Sequence, residues 1–182
     1  MQVVRAALGG GFHEVLAAPR RAPEIPAELD AYGWLVGSWA LEVRHYRVDL
    51  RGRGVTGEVH FGWVLEGRAM QDVWIMPRRA QRATAPEQDR DMYGTTLRVW
   101  DPAIQAWRVS WFNPVAGVHE EMIGRRCGDE IVQLGRHANG TPTRWRFTEI
   151  APASFRWIGE ALEADGKTWR LEGEFQASRV AP

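Results

Sequence analysis

Trp107-Arg108-Val109-Ser110-Trp111 is the stretch whose reading decides the fold. Large apolar and polar side chains swap at every step, and a period of two gives one buried face and one wet face. That is the pattern of antiparallel β-sheet. The same alternation runs through Trp145-Arg146-Phe147-Thr148 and through Trp169-Arg170-Leu171-Glu172-Gly173-Glu174-Phe175-Gln176. Most of the ten tryptophans in these 182 residues sit on such positions. Indoles on many buried faces at once require a wide, aromatic-lined interior rather than a thin sandwich core.

Working outward, the pattern predicts about ten strands: Trp39–Asp49, Val55–Leu65, Ala69–Met76, Met92–Trp100, Ala106–Asn113, Val118–Arg126, Glu130–His137, Thr143–Ile150, Ser154–Glu163 and Thr168–Ser178. Turn formers mark the junctions, among them Asp101-Pro102, Asn113-Pro114, Asn139-Gly140 and Asp165-Gly166,. Short links between successive strands favour an up-and-down meander, and closing it into a barrel removes the exposed edges. The fold expected is therefore all-β, a roughly ten-stranded antiparallel barrel in residues 26–180. Pro77 to Arg90 is the one long link, arginine-rich and broken by Pro86, and reads as a mobile loop or a lid over a barrel mouth,. Residues 1–25 hold Gly9-Gly10-Gly11, Pro19 and Pro23 without sustained period and read as a loosely ordered extension,. Pro26 then opens a short helix over Ala27–Leu35, which Gly37 stops,.

Composition bounds the partners. Lys+Arg and Asp+Glu are 23 each, so there is no basic surplus with which to displace counterions from nucleic acid or to hold an anionic membrane,. Cys127 is the sole cysteine, which excludes an intramolecular disulfide and a cysteine metal cluster,. His119-Glu120-Glu121 lacks a second histidine at ligand spacing, so no metal is expected,. No apolar run has the roughly 20 residues of a membrane span, and the N-terminus does not read as a signal peptide. The expected setting is the cytoplasm.

Gly37-Ser38-Trp39, placed after a short helix and before a run of strands, resembles the opening of the calycin superfamily, the lipocalins and fatty-acid-binding proteins. In those barrels the helix plugs one end and the tryptophan packs over it. The stretches from Tyr93 to Pro102 and from Trp107 to Pro114 are similar to a bacterial calycin-like family without an established activity, and the resemblance runs from about Leu29 to Arg179. It implies a barrel with its N-terminal helix as a plug.

Parity assigns an interior set: Trp39, Leu41, Val43 and His45; then Val55, Val59, Phe61, Trp63 and Leu65; then Met70, Asp72, Trp74 and Met76; then Trp107, Val109, Trp111 and Asn113. Glu120 and Met122, Trp145 and Phe147, Phe155 and Trp157, and Trp169, Leu171 and Phe175 complete it. A bulge would invert the assignment beyond it. His45, Asp72 and Glu120 are the ionisable members, and each must be paired, protonated or set against a wet cavity. An arginine such as Arg98 is a fitting partner for the carboxylates.

The reading that follows is a binding site for a small hydrophobic or aromatic molecule. Trp63, Trp74, Trp111, Trp145 and Trp157 supply contact area, and Asn113 with the ionisable three orient polar atoms. Three alternatives stay open. One is an enzyme, an isomerase, cyclase or lyase, with His45, Asp72 and Glu120 as acid and base. Another is a haem barrel, disfavoured because Gly37-Ser38-Trp39-Ala40-Leu41-Glu42-Val43 lacks the Gly-x-Trp-x-Gly-x-Gly opening of that group, so no cofactor is expected. The last is a solidly packed structural module, and a homodimer is left open.

Overall fold

The structure is a computed structural model that describes residues 11–87 and 90–181. Met1 to Gly10 of the expected extension, with its first two triplet glycines, and Gln88 and Asp89 of the long link lie outside the described residues. Ten strands form the barrel: β1 Gly37–Tyr46, β2 Thr56–Val64, β3 Ala69–Met76, β4 Met92–Asp101, β5 Ala106–Asn113, β6 Val118–Cys127, β7 Glu130–Arg136, β8 Pro142–Ala151, β9 Ser154–Leu162 and β10 Trp169–Arg179. Each pairs antiparallel with its neighbours in the chain, and β1 pairs with both β2 and β10. The sheet therefore closes on itself as an up-and-down barrel.

Turn chemistry fixes the tight links. Between β9 and β10 the Asp165 carboxylate accepts from the Lys167 and Thr168 N–H groups at 2.9 and 2.8 Å and from the Thr168 hydroxyl at 2.6 Å. That hydroxyl, followed by the two amides, holds the Asp165 carboxyl below its ordinary range,.

One end of the barrel is plugged. Tyr32 and Leu35 are fully buried there. The Tyr32 ring stands edge-on to Trp107, with centroids 5.2 Å apart, and its hydroxyl donates to Gln133 Oε1 at 3.0 Å. Trp39 is also fully buried and donates its indole N–H to the Leu35 carbonyl at 2.8 Å. Phe155 packs 4.8 Å from Trp39, and the Arg179 guanidinium lies 4.1 Å over the Trp39 ring. Arg179 reaches back to the Trp34 and Val36 carbonyls at 2.6 and 2.8 Å, fastening the last strand to the plug.

The plug is not the single helix expected over 27–35. It consists of two 3-10 turns, Ala27–Leu29 and Gly33–Leu35. Asp30 separates them: its carboxylate accepts from the Tyr32 and Gly33 N–H groups at 3.2 and 2.7 Å, a local bond that competes with helix propagation,.

Residues 11–25 also differ from a loose extension. A helix α1, Phe12–Leu16, leads into Ala17 and Ala18, which pair with Val64 and Trp63 of β2. Ala22 and Ile25 are buried, and the Ala22 N–H donates to the Gly67 carbonyl at 3.0 Å. Gly67 has φ +82, and a side chain there would collide with the Arg20 carbonyl, so this seat needs glycine,. No residue of α1 is buried. Backbone pairing and two small anchors hold the segment, which leaves no periodic signal in its sequence.

The long link is fastened rather than free. It carries a helix α2, Arg79–Arg82, and Arg82 Nη1 donates to the Met76 and Met92 carbonyls at 2.9 and 3.1 Å, tying its two ends together.

Candidate functional site

Between the plug and the opposite, open end the barrel holds a cavity of about 330 Å³. A connected belt of rings forms its wall. Trp111 and Trp145 have centroids 6.0 Å apart, Trp145 and Trp157 5.2 Å, Trp157 and Trp74 5.8 Å, and Phe175 lies 5.2 Å from Trp157. Most of these contacts are edge-on or tilted, the geometries that the ring quadrupole favours. Gly159 makes room for the belt: a Cβ there would come within 2.6 Å of the Trp157 ring.

Arg98 closes the cavity toward the plug. Its guanidinium packs 4.9 Å from the Tyr32 ring and within 6 Å of Phe61 and Phe147. It also lies 2.6 Å from Asp72 Oδ2, and Nε donates to Gln133 Oε1 at 3.1 Å. The second Asp72 oxygen accepts from the Thr96 N–H at 2.8 Å. Asp72 is thus a structural anion that holds Arg98, and its carboxylate has no free edge toward the cavity. Burial raises the Tyr32 phenol well above its ordinary range, against the opposing pull of Arg98, so it stays a neutral donor,.

Near the mouth, His137 bridges two carboxylates. Nδ1 lies 2.8 Å from Glu120 Oε1, and Nε2 lies 2.9 Å from Glu172 Oε2. Arg170 Nη2 donates to the other Glu172 oxygen at 3.0 Å, and Arg170 Nε lies 2.8 Å from Glu163. Burial raises the Glu120 carboxyl, partly offset by His137. Burial also works against a charged His137, but Glu120 and Glu172 together outweigh it and hold the imidazole above its ordinary value. Two buried acceptors on the wall remain without a protein partner among the described residues: Glu120 Oε2 and Asn113 Oδ1.

The expected site residues divide clearly. Trp74, Trp111, Asn113, Trp145, Trp157 and Glu120 line one cavity. Trp63 does not: it lies at the plugged end, 6.3 Å from Trp107, beside the strand pairing with Ala18. His45 does not line it either. Val43 pairs with Phe175 and His45 with Glu174, so Arg44 is an extra residue, a bulge that inverts the alternation,. Tyr46 takes the inward place instead. A second bulge does the same on β10, where Gly159 pairs with Gly173 but Glu160 with Leu171. Glu172 is the extra residue, so Arg170 and Glu172 face the cavity, while Trp169 and Leu171, expected inside, do not line it. Trp169 instead stacks under the Arg144 guanidinium at 4.3 Å.

His137 is the functional residue that the sequence reading missed. Ile131 and Gln133 are fully buried, and the same parity carried to the end of that strand reaches 137.

Among the described residues no group of three or more His, Cys, Asp or Glu side chains is placed to hold a metal ion, and no helix is long and apolar enough to cross a membrane. A scan against protein-family models finds no match to this chain, and a search of curated proteins finds no relative.

Proposed function

We propose that this calycin-like barrel binds a small, largely hydrophobic or aromatic molecule in its central cavity. The observation that carries the reading is the aromatic belt of Trp74, Trp111, Trp145, Trp157 and Phe175 around about 330 Å³ of space, with a few polar groups at one side. That is the usual anatomy of a small-molecule site. It also argues against a solidly packed structural module.

The rival readings find less support. A histidine-ligated haem needs a free histidine nitrogen on the wall, but among the described residues His137 is the histidine that lines the cavity, and both its nitrogens face carboxylates,. An acid–base enzyme built on His45, Asp72 and Glu120 loses two of its three groups, since His45 sits outside the cavity and Asp72 is held by Arg98.

Titration with naphthalene tests the proposal. Displacing water beside the indoles should change their emission saturably. Binding should also raise the melting temperature by mass action, worth about 2.7 kcal/mol at a hundredfold excess over Kd. Trp111→Ala should weaken both effects. Absence of any saturable change across a panel of apolar aromatics would overturn the reading.

A further inference from the structure

Resting on that reading, we infer that the cavity selects a ligand with a primary amine head on an apolar or aromatic body. The two orphaned acceptors carry the argument. Glu120 Oε2 and Asn113 Oδ1 belong to side chains more than nine-tenths buried, both on the cavity wall, and neither atom has a protein donor among the described residues. In register, Trp111 pairs with Glu120 and Asn113 with Val118, so Asn113 and Glu120 are diagonal neighbours on one face of β5 and β6. Such neighbours have Cβ atoms about 7 Å apart, a gap that one nitrogen with two N–H groups spans.

The other halves of these side chains are already committed. Glu120 Oε1 is bound to His137, and Asn113 Nδ2 donates to the Asp91 carbonyl at 3.2 Å. What both residues offer the cavity is therefore acceptance. A hydroxyl satisfies one of them, a primary amine both, and a carboxylate neither. A buried acceptor left unpaired is costly, which is what converts this geometry into selectivity. The aromatic wall agrees: it carries Trp111 and Trp145, and indole rings attract an ammonium,. The cations on the wall do not call for an anion. Arg98 is neutralised by Asp72, and Arg170 by Glu163 and Glu172. Arg47, at the rim, is exposed and lies 5.0 Å over the Tyr46 ring.

A matched series on one ring tests the inference by calorimetry: 3-phenylpropylamine, 3-phenylpropanol, 3-phenylpropanoate and propylbenzene. The amine should bind at least about tenfold tighter than the propanoate, with the alcohol between them. Glu120→Gln and Asn113→Leu should each erase most of that preference. Propylbenzene binding, measured on the same variants, reports that the pocket is still formed. Equal affinity across the four heads would overturn the inference and leave the apolar cavity reading standing. Tightest binding of the propanoate would overturn it in favour of an anion held at Arg47. Failure of all four, propylbenzene included, would overturn both readings.

Discussion

Arg98 Nη1 lies 2.6 Å from Asp72 Oδ2 in the barrel interior, with both side chains no more than 1% exposed. Such a pair contributes modestly as a pair but strongly through its halves, because either charge alone would be buried without compensation. Asp72→Leu should therefore cost about 3–5 kcal/mol in urea unfolding. The double variant Asp72→Leu with Arg98→Met should recover much of that loss. A single-variant loss below about 1 kcal/mol would show that water reaches Arg98 and that the cavity floor is open.

Trp39 couples the plug to the first and last strands through the Leu35 carbonyl and the Arg179 guanidinium. Trp39→Ala removes a fully buried indole and should cost about 3–5 kcal/mol by chemical denaturation. A change under about 1 kcal/mol would mean that the plug does not depend on it.

Ile25 anchors the segment before the plug and is 2% exposed. Ile25→Ala should lower stability by about 2–4 kcal/mol. A difference within about 0.5 kcal/mol of the parent would return residues 11–25 to the status of a loose extension.

The fold was legible because seven of the ten strands hold a simple alternation without a bulge. Trp107, Val109, Trp111 and Asn113 on β5 need no knowledge of their neighbours, and all four are buried. The site was legible only where the strands run without interruption. His45, Trp169 and Leu171 were misplaced because the bulges at Arg44 and Glu172 have no marker in composition; they are visible only in pairing. Trp63 was given the right face but the wrong level, since parity says nothing about depth along the barrel axis. The salt bridge between Asp72 and Arg98 follows from both residues facing inward on adjacent strands, where Met70 pairs with Arg98 and Asp72 with Thr96.

The His137 bridge gives stability a defined pH dependence. Its pKa is raised above the ordinary 6.5, so the folded chain holds that proton more tightly than the unfolded one. The contribution is complete below 6.5 and is lost as pH rises through the folded value,. Glu120, raised above its ordinary 4.5, has the same sign, so its contribution also declines with rising pH,. Unfolding free energy should thus fall as pH rises from 6.5 through the folded value of His137, and fall less in His137→Gln,. Identical pH dependence of parent and variant in urea titrations across that range would contradict the bridge.

The bulges at Arg44 and Glu172 lie on neighbouring strands, joined where Gly173 pairs with Tyr46. Each amounts to one additional codon, and each is absorbed where it stands: beyond Arg44, His45 meets Glu174 and Tyr46 meets Gly173, and beyond Glu172, Leu171 meets Glu160,. At this edge of the barrel, one-residue insertions and deletions at the bulges therefore leave the pocket lining in place, and substitution is the shorter genetic route to a new one. Loss of Arg44 alone would keep the Tyr46 phenol at the mouth, and loss of Glu172 would remove one carboxylate but keep the Arg170 guanidinium inside and the Trp169 indole out. Variation in ligand preference among barrels built this way should track residue identity along the walls more closely than strand length near the mouth.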